Sequence, residues 1–587
     1  MDNQKEVVEL LNKNELEKLR GYDTDKLATA IASACRMPGG AERAVWAAAY
    51  VLMRSLEDYQ ISIDTIDLYF SSANEEPSRE LYIRQALAQC WDNIRELKYK
   101  FTVDEFKSVL LFYNGDGIRG WDSPTPDGLA KLAAKLLNVK PGMKVLDMGT
   151  GLGSFIRECY AEEHEAAYVG LEINAESAII AGIRADILGG DIQIRTGNIF
   201  DDASISREYD AVFANYPLGM KARNLGSIGE EYVRRLSDRS PGYSKLSSMD
   251  WVFNRKAYDC IDGPGRVICI MANGSTWNTI DKRVRREFLS LGIVEMVVSL
   301  PSRIYDGMGV ATSMIVLSHG HTSVMMVDAS DACEKGRRMN VITNDDISRI
   351  LDACEHDSDI SRLVSYKEIE ENDYNLSPSL YLGPQEEEIE NGVALGELVN
   401  ITRGAQVNAS ALDELSSTTE TDTQYLMLSN IQNGLIDEEL PYLTEIDPKL
   451  EKYLLKNNDL ILSKIGAPFK VAVAEIRTGQ KILANGNLYI MTVIDQRIDP
   501  YYLKAYLESE KGIAALKKIT VGTTIPSLGV EQLKKLIIPL PPLEEQHRIK
   551  EIADEYRACV TELKLLQRKT AKVLDRMAHI YDAGKED

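Results

Sequence analysis

Apolar residues recur at three- and four-residue spacing in AERAVWAAAYVLMRSL (41–56) and again around LYIRQALAQCWDNI (81–94). That is the period of helices burying one face. Residues 1–116 therefore read as a helical N-terminal domain, broken at Pro38-Gly39-Gly40 and near Pro77. Beyond residue 117 the period changes. SPTPDGLAKLAAKLL (123–137) is a proline-marked turn feeding an amphipathic helix, and KVLDMGTGLGSFI (144–156) is a short apolar strand running through glycines into another helix. The series continues with strands in AYVGLEIN (167–174), DIQIRTGNIF (191–200), YDAVFANYPLG (209–219), GRVICIMANG (265–274), VEMVVSLP (294–301) and ATSMIVLS (311–318), and a helix near 176–188. Strands alternating with helices predict an α/β domain with a doubly wound sheet over 117–384.

The Glu-rich stretch QEEEIENG (385–392) reads as a linker. From LGELVNITRGAQV (395–407) a mixed α/β domain runs on, counted as 385–542 and closed by Pro539, Pro541 and Pro542. The final segment, 543–587, has the pattern of one long helix. Ile549, Ile552, Tyr556, Cys559, Leu563, Leu566, Thr570, Val573 and Met577 form a heptad seam, which predicts a helical partner in this chain or another.

At 587 residues the chain exceeds what one core supports, so several domains are expected. Lys and Arg total 67 against 90 Asp and Glu, a net charge of -23. This excludes a general coat of nucleic-acid affinity but leaves room for a DNA enzyme whose cations gather in one cleft. The eight cysteines are scattered without a CxxC pair. They predict neither a zinc site nor a disulfide framework, and they suit a reducing cytoplasm. The N-terminus is charged throughout, without a signal-peptide core, and no run reaches the ~18 apolar residues of a membrane span. A soluble cytoplasmic chain without a metal centre is the expectation.

Candidate chemistry lies in the α/β domain. Asp147, Gly149, Gly151 and Gly153 follow a strand and open a helix, where glycines let the backbone bend tightly and approach a ligand. Alone, such a loop serves dinucleotide and S-adenosylmethionine sites equally. Asp147 ahead of the first glycine would repel a pyrophosphate but can hold a cationic methionine moiety. Glu172 ends the next strand, 25 residues on, where a carboxylate can accept both ribose hydroxyls. Both details favour S-adenosylmethionine.

Asn215-Tyr216-Pro217-Leu218-Gly219 ends the fourth strand. With the glycine loop and the ribose carboxylate before it, this Asn-x-Pro resembles the loop of DNA adenine-N6 methyltransferases, most closely the M subunits of type I restriction-modification systems. Thr125-Pro126, residues 247–275, residues 292–318 and NDYNLSPSLYL (372–382) extend the likeness. LGELVNITRG (395–404), YLMLSNIQNGLID (425–437), LKNNDLILSKIG (455–466) and residues 519–549 resemble a target-recognition domain of type I specificity subunits. The resemblance implies an S-adenosylmethionine-dependent Rossmann-like catalytic domain, fused to a single domain that reads double-stranded DNA. It assigns the cofactor to Thr125, Asp147, Gly149, Gly151, Gly153, Glu172 and Asn198, and the catalytic loop to Asn215, Tyr216, Pro217 and Leu218. The exocyclic N6 is a poor nucleophile, and two acceptors on its hydrogens favour attack on the methyl group. They would be the Asn215 side chain and the Tyr216 carbonyl. The base must be flipped from the duplex, normally onto an aromatic ring.

The loop departs from the family's Asn-Pro-Pro-Tyr/Phe. Tyr stands at 216 and Leu at 218, and Asn198 replaces the usual Asp. Tyr216 or Tyr243 is the candidate to stack in place of the missing ring, and Leu218→Phe is expected to restore capture of the base. Residues 219–256 carry eight cations against four acids, and Lys282, Arg283, Arg285 and Arg286 form a second cluster. Both read as phosphate contacts near Asn215 or as solvated helix faces, while Lys517, Lys518, Thr520, Thr523 and Thr524 are candidate backbone contacts in the recognition domain. Half a bipartite reader implies a homodimer, or assembly with another M-, S- or restriction-type chain through the C-terminal helix. Two alternatives stay open: a degenerate DNA-binding subunit that does not methylate, favoured by the loop changes, and a small-molecule methyltransferase, which leaves the recognition domain unexplained.

Overall fold

The computed structural model describes residues 11–583 except 36–40, 116–123, 202–206, 383–388, 390, 408–413, 438, 445, 467 and 522–525. The Pro38-Gly39-Gly40 break, most of the acidic linker, and Thr523 and Thr524 lie outside the described residues. Two compact units divide the chain, Met1–Leu382 and Gly383–Asp587.

The first unit is built on nine strands: β1 (Lys144–Met148), β2 (Ala167–Glu172), β3 (Ile192–Thr196), β4 (Tyr209–Asn215), β5 (Ile261–Ala272), β6 (Val294–Ser299), β7 (Thr312–Leu317), β8 (Ser323–Asp328) and β9 (Ser361–Ser365). Their order is β3-β2-β1-β4-β5-β7-β6-β8-β9. Strands β1 to β5 pair in parallel, and β7 enters antiparallel between β5 and β6. The order reverses beside β1, so the carboxyl ends of β1, β2 and β4 flank the crevice where a doubly wound sheet takes its ligand. The fold class read from the sequence is the one observed. Strands β8 and β9 extend it.

Period-two alternation sends each strand into two cores. Ala211 and Phe213 of β4 face one, Val212 and Ala214 the other, and Ile268 and Ile270 of β5 alternate with Val267 and Cys269 in the same way. The first core also contains the N-terminal helices, among them Ala41–Glu57 and Val103–Phe112. Two buried guanidiniums reinforce that union. Arg157 pairs with Asp127 at 2.6 Å and Glu158 at 2.7 Å while donating to the Leu111 carbonyl. Arg184 donates to the carbonyls of Leu110, Tyr113 and Leu152. Leu152 belongs to the glycine loop, so Arg184, on helix Ala175–Leu188, ties the N-terminal helices to that loop.

In the second unit, a four-stranded antiparallel sheet runs in the order Val399–Arg403, Leu488–Val493, Leu460–Ser463, Val471–Val473. Gly392–Ala394 pairs antiparallel with Ile537–Pro539, holding the domain's start and end side by side. Helix Leu543–Ala583 then departs, 41 residues and about 60 Å long. Its base is pinned by buried Gln546, which donates to the Arg497 and Pro541 carbonyls and accepts from the Asp499 amide. Of the seam residues Ile549 packs inward, but Ile552 (66%), Cys559, Leu563 (54%) and Met577 (61%) are exposed, and Val560, outside the seam as read, is buried beside Cys559. Only part of the heptad seam is covered by its own domain. Among the described residues, no helix is long and apolar enough to cross a membrane and no acidic, Cys or His cluster is arranged to hold a metal ion.

Candidate active site

The glycine loop takes the strand-to-helix turn that its sequence demands. Gly149, Gly151 and Gly153 have φ of 85°, 54° and 80°, left-handed conformations that side chains resist. A Cβ at Gly149 or Gly151 would meet nothing within 4 Å, so the backbone borders open space. Gly153 caps helix Ser154–Glu162. Asp147, next to last in β1, has 2% exposure and accepts from the Thr150 hydroxyl at 2.7 Å. Burial pushes its carboxyl up to about 7; the Thr150 hydrogen bond opposes this and nearby Glu172 adds to it.

Glu172 closes the loop from the neighbouring strand. Its two oxygens accept the Gly151 and Asn174 amides, each at 2.8 Å. Each carboxylate oxygen has a second lone pair, so the grip fixes the carboxylate without exhausting its acceptors. Asn198 follows β3 and accepts the Phe200 amide at 2.9 Å.

Asn215, at the carboxyl end of β4, is held from two sides. Its Nδ2 donates to Thr125 Oγ1 at 2.8 Å, and the Tyr305 hydroxyl donates to its Oδ1 at 3.0 Å. Thr125 and Asn215, predicted as site residues 90 positions apart in the sequence, are thus in contact. Tyr305, in the β6–β7 connection, was not singled out by sequence reasoning. Burial raises its hydroxyl above the ordinary tyrosine value, although the Asn215 contact opposes the shift, so it stays protonated and able to donate.

The remainder of the loop is anchored rather than presented. The Tyr216 ring stacks on Phe253 with centroids 4.4 Å apart and planes at 11°. Its hydroxyl donates to Asn254 Oδ1 at 2.6 Å and to the Asp250 carbonyl at 3.1 Å. Asp250, fully buried, accepts from the amides of Gly219 and Ala272 and from the Ser275 hydroxyl. Burial raises its carboxyl despite these bonds. The expectation that Tyr216 or Tyr243 supplies the missing stacking ring is corrected: their exposures are 4% and 1%, each ring being spent on packing. Leu218 is also buried, at 4%, within the core shared with the N-terminal helices. Pro217 lies between these two anchors, and a residue before proline is biased towards an extended conformation. Among the described residues, none donates to the Tyr216 carbonyl.

Five of the twelve cations credited with phosphate contacts have structural duties. Arg234 pairs with Glu231 and Asp238, Arg255 with Asp259 and Glu287, and Lys282 with Asp373. Buried Arg285 donates to the carbonyls of Tyr374 and Ser275, and Lys221 to that of Ser247. Arg223 and Lys245 remain exposed near the loop. In the second unit, Lys517 and Lys518 end helix Glu510–Lys518, and Thr520 bonds back to the Leu516 carbonyl.

A doubly wound sheet with this loop, acid and strand-end asparagine at its switch point defines a Rossmann-like methyltransferase fold. Residues 116–390 match the family model N-6 DNA Methylase, and residues 387–571 match the type I restriction modification DNA specificity domain. The chain joins these two domains and is homologous to type I restriction enzyme methylase subunits. The MjaVII methylase subunit of Methanocaldococcus jannaschii is 26% identical over 339 residues, 52% of this chain and 57% of that protein. The putative MjaX specificity subunit of the same organism is 32% identical over 134 residues, 22% of this chain and 32% of that one. Among solved structures, the methyltransferase subunit of a type I system from Streptococcus thermophilus has 19% identity and a TM-score of 0.45, covering 62% of this chain and 85% of that chain. The chain spans little more than half the length of the methylase subunits MjaVII and MjaVIII, at 57% and 56%.

Proposed function

We propose that the protein transfers a methyl group from S-adenosylmethionine to the N6 of adenine in double-stranded DNA, at a site chosen by its own recognition domain. The observation that carries this reading is the doubly tethered Asn215 amide at the carboxyl edge of β4, beside the glycine loop on β1. The cofactor fits the residues present: an open glycine cradle, a buried carboxyl at Asp147, and a rigidly held carboxylate at Glu172. S-adenosylmethionine supplies the electrophilic methyl group. Glu172 would accept the ribose hydroxyls, Asp147 would face the cationic methionine portion, and Asn198 would border the adenine.

The Asn215 amide keeps one lone pair and one N–H beyond its two tethers. That lone pair and the Tyr216 carbonyl would accept the two N6 hydrogens, drawing the nitrogen towards tetrahedral geometry as attack proceeds. Tyr216 sets its own carbonyl by burying its ring against Phe253. The division into 1–116, 117–384, 385–542 and 543–587 follows from this reading, as does assembly in pairs, or with another M-, S- or restriction-type chain, through the exposed seam of the C-terminal helix. The alternative of a site-binding subunit that does not methylate draws on one observation, the burial of Leu218, Tyr216 and Tyr243, which leaves the loop without a ring for a flipped base.

Calorimetry with S-adenosylmethionine tests the cofactor half. Wild type should bind and Glu172→Ala should bind substantially more weakly. Equal affinity removes the ribose assignment, and no binding by folded wild type removes the enzyme reading.

A further inference from the structure

The two tethers of Asn215, Thr125 and Tyr305, both stand outside regular elements. Thr125 lies two residues ahead of helix Asp127–Leu137, and Tyr305 lies in the connection between β6 and β7. A side chain carried on a loop keeps one position only where its backbone is fastened by something else.

One segment fastens both. Residues 334–342 follow β8 as a short loop closed on itself, Glu334 and Val341 exchanging two backbone hydrogen bonds of 2.9 Å. From this loop Asn340, 9% exposed, donates its side-chain Nδ2 to the Ser302 carbonyl and its amide to the Arg303 carbonyl, each at 2.8 Å. Arg303 has φ of 57°, a left-handed conformation that residues with a side chain seldom adopt unless their surroundings impose it. Its guanidinium in return donates to the carbonyls of Arg337 and Arg338, at 2.8 and 3.1 Å. Arg338 pairs with Asp306 at 2.7 Å. The contacts therefore fall on 302, 303 and 306, on both sides of Tyr305. The far end of the loop reaches the Thr125 side. There the Ile342 carbonyl lies so close to Gly128, in the first turn of helix Asp127–Leu137, that a Cβ added to the glycine would overlap it.

We propose that Asn340 is a positioning residue, which through Ser302 and Arg303 sets the Tyr305 hydroxyl against the Asn215 amide, and that the loop 334–342 is the common support of both Asn215 tethers. The claim can be tested on one atom. Asn340→Asp keeps the shape of the side chain and turns the Nδ2 donor into an oxygen facing the Ser302 carbonyl.

3-Fluorotyrosine placed at 305 alone, in the full chain, reports the surroundings of that ring by 19F NMR, and no methyl transfer is needed to read it. The parent is compared with Asn340→Asp and with Arg338→Gln, a surface change that breaks the pair with Asp306. Melting curves and S-adenosylmethionine titration establish that each variant is folded; if Asn340→Asp is not, Arg338→Gln decides. The parent should give one resonance displaced from that of the free amino acid. Both variants should split it or move it towards the free value, Asn340→Asp further. The kinetic arm rests on the proposed methyltransferase reading. In single-turnover methylation, Asn340→Asp should lower the rate about threefold or more with cofactor affinity unchanged. On a Tyr305→Phe background the same substitution should lower it no further, because the hydroxyl it positions is gone.

A resonance that stays in place in the folded variants overturns the proposal, whether or not the chain methylates DNA. So does a wild-type methylation rate in Asn340→Asp, or an equal fold-loss on the Tyr305→Phe background. A displaced resonance in a chain that transfers no methyl group supports the positioning of Tyr305 and counts against the methyltransferase reading instead, so the two failures are told apart.

Discussion

Replacing Tyr305 by Phe removes a single oxygen, the one that donates to Asn215 Oδ1 at 3.0 Å. The ring is 4% exposed, so its packing survives the change. What is lost is one of two tethers on the amide; the other, from Nδ2 to Thr125 Oγ1 at 2.8 Å, remains. A neutral hydrogen bond contributes about 0.5–1.5 kcal/mol net, and leaving a buried acceptor unpaired costs about 1–3 kcal/mol. If half or more of that falls on the transition state, where the position of Oδ1 against the N6 hydrogen counts most, turnover falls about 3- to 10-fold. Cofactor affinity should be unchanged, because the glycine loop and Glu172 do not touch Tyr305. Thr125→Val should give a loss of similar size from the other side. The double variant frees the amide to rotate, so it should lose more than the product of the single losses, a coupling that independent sites do not show. The assay is single-turnover methylation of a DNA containing the recognised site, with cofactor saturating. If Tyr305→Phe and Thr125→Val both retain wild-type single-turnover rates, the tethers do not position Asn215 and their contribution is only to packing.

Three further outcomes follow from the same geometry. The Asp147 carboxyl is raised to about 7 by burial, so it is charged above that pH and neutral below. A cationic cofactor binds the charged form better, and calorimetry should show affinity rising between pH 6 and 8, by up to about tenfold, then levelling. Asp147→Asn should be flat over that range, and a flat wild-type profile refutes the pairing. Leu218→Phe, expected from the sequence to restore base capture, should instead overpack a core position that is 4% exposed, lowering stability by about 1–3 kcal/mol with no gain in turnover. A rise in turnover at unchanged melting temperature would show that the ring does find the base. A chain ending at Pro542 should be monomeric by light scattering, and the full chain larger. Equal monomeric masses rule out self-assembly through the helix.

What the sequence made legible was local. Alternation in YDAVFAN marks β4 because Val212 and Ala214 face one core while Ala211 and Phe213 face the other. The spacing of Asp147, the glycines and Glu172 marked the turn because Asp147 and the glycines are near neighbours in sequence and Glu172 ends the very next strand. The heptad seam of the last helix was equally plain, although nothing in it indicated that Ile549 packs at home and Val560 is buried where Cys559 was expected, while Leu563 and Met577 stay exposed. What escaped depends on contacts between distant segments. Tyr305 meets Asn215 across 90 residues of sequence, and no period or motif signals such an encounter. Asp250 and Asn254 sit on an unremarkable helix, yet they hold Gly219 and the Tyr216 hydroxyl. The cations after the loop read as a DNA surface because their partners, such as Asp373 for Lys282 and the Tyr374 carbonyl for Arg285, lie far along the chain. Helical character in the first hundred residues was readable from its period. That these helices share a core with the sheet, through Arg157 and Arg184 among others, was not.

Asn215 is proposed to present its amide to an adenine N6. Incubating the full chain with genomic DNA and methyl-labelled S-adenosylmethionine, then mapping modified bases, tests it most directly, with Asn215→Ala alongside. Wild type is expected to place label on adenine N6 within one recurrent sequence context. Asn215→Ala should place none while binding cofactor and DNA as wild type does. Wild type that binds cofactor and its DNA site yet leaves every adenine unlabelled would contradict the claim and establish the non-methylating reading in its place.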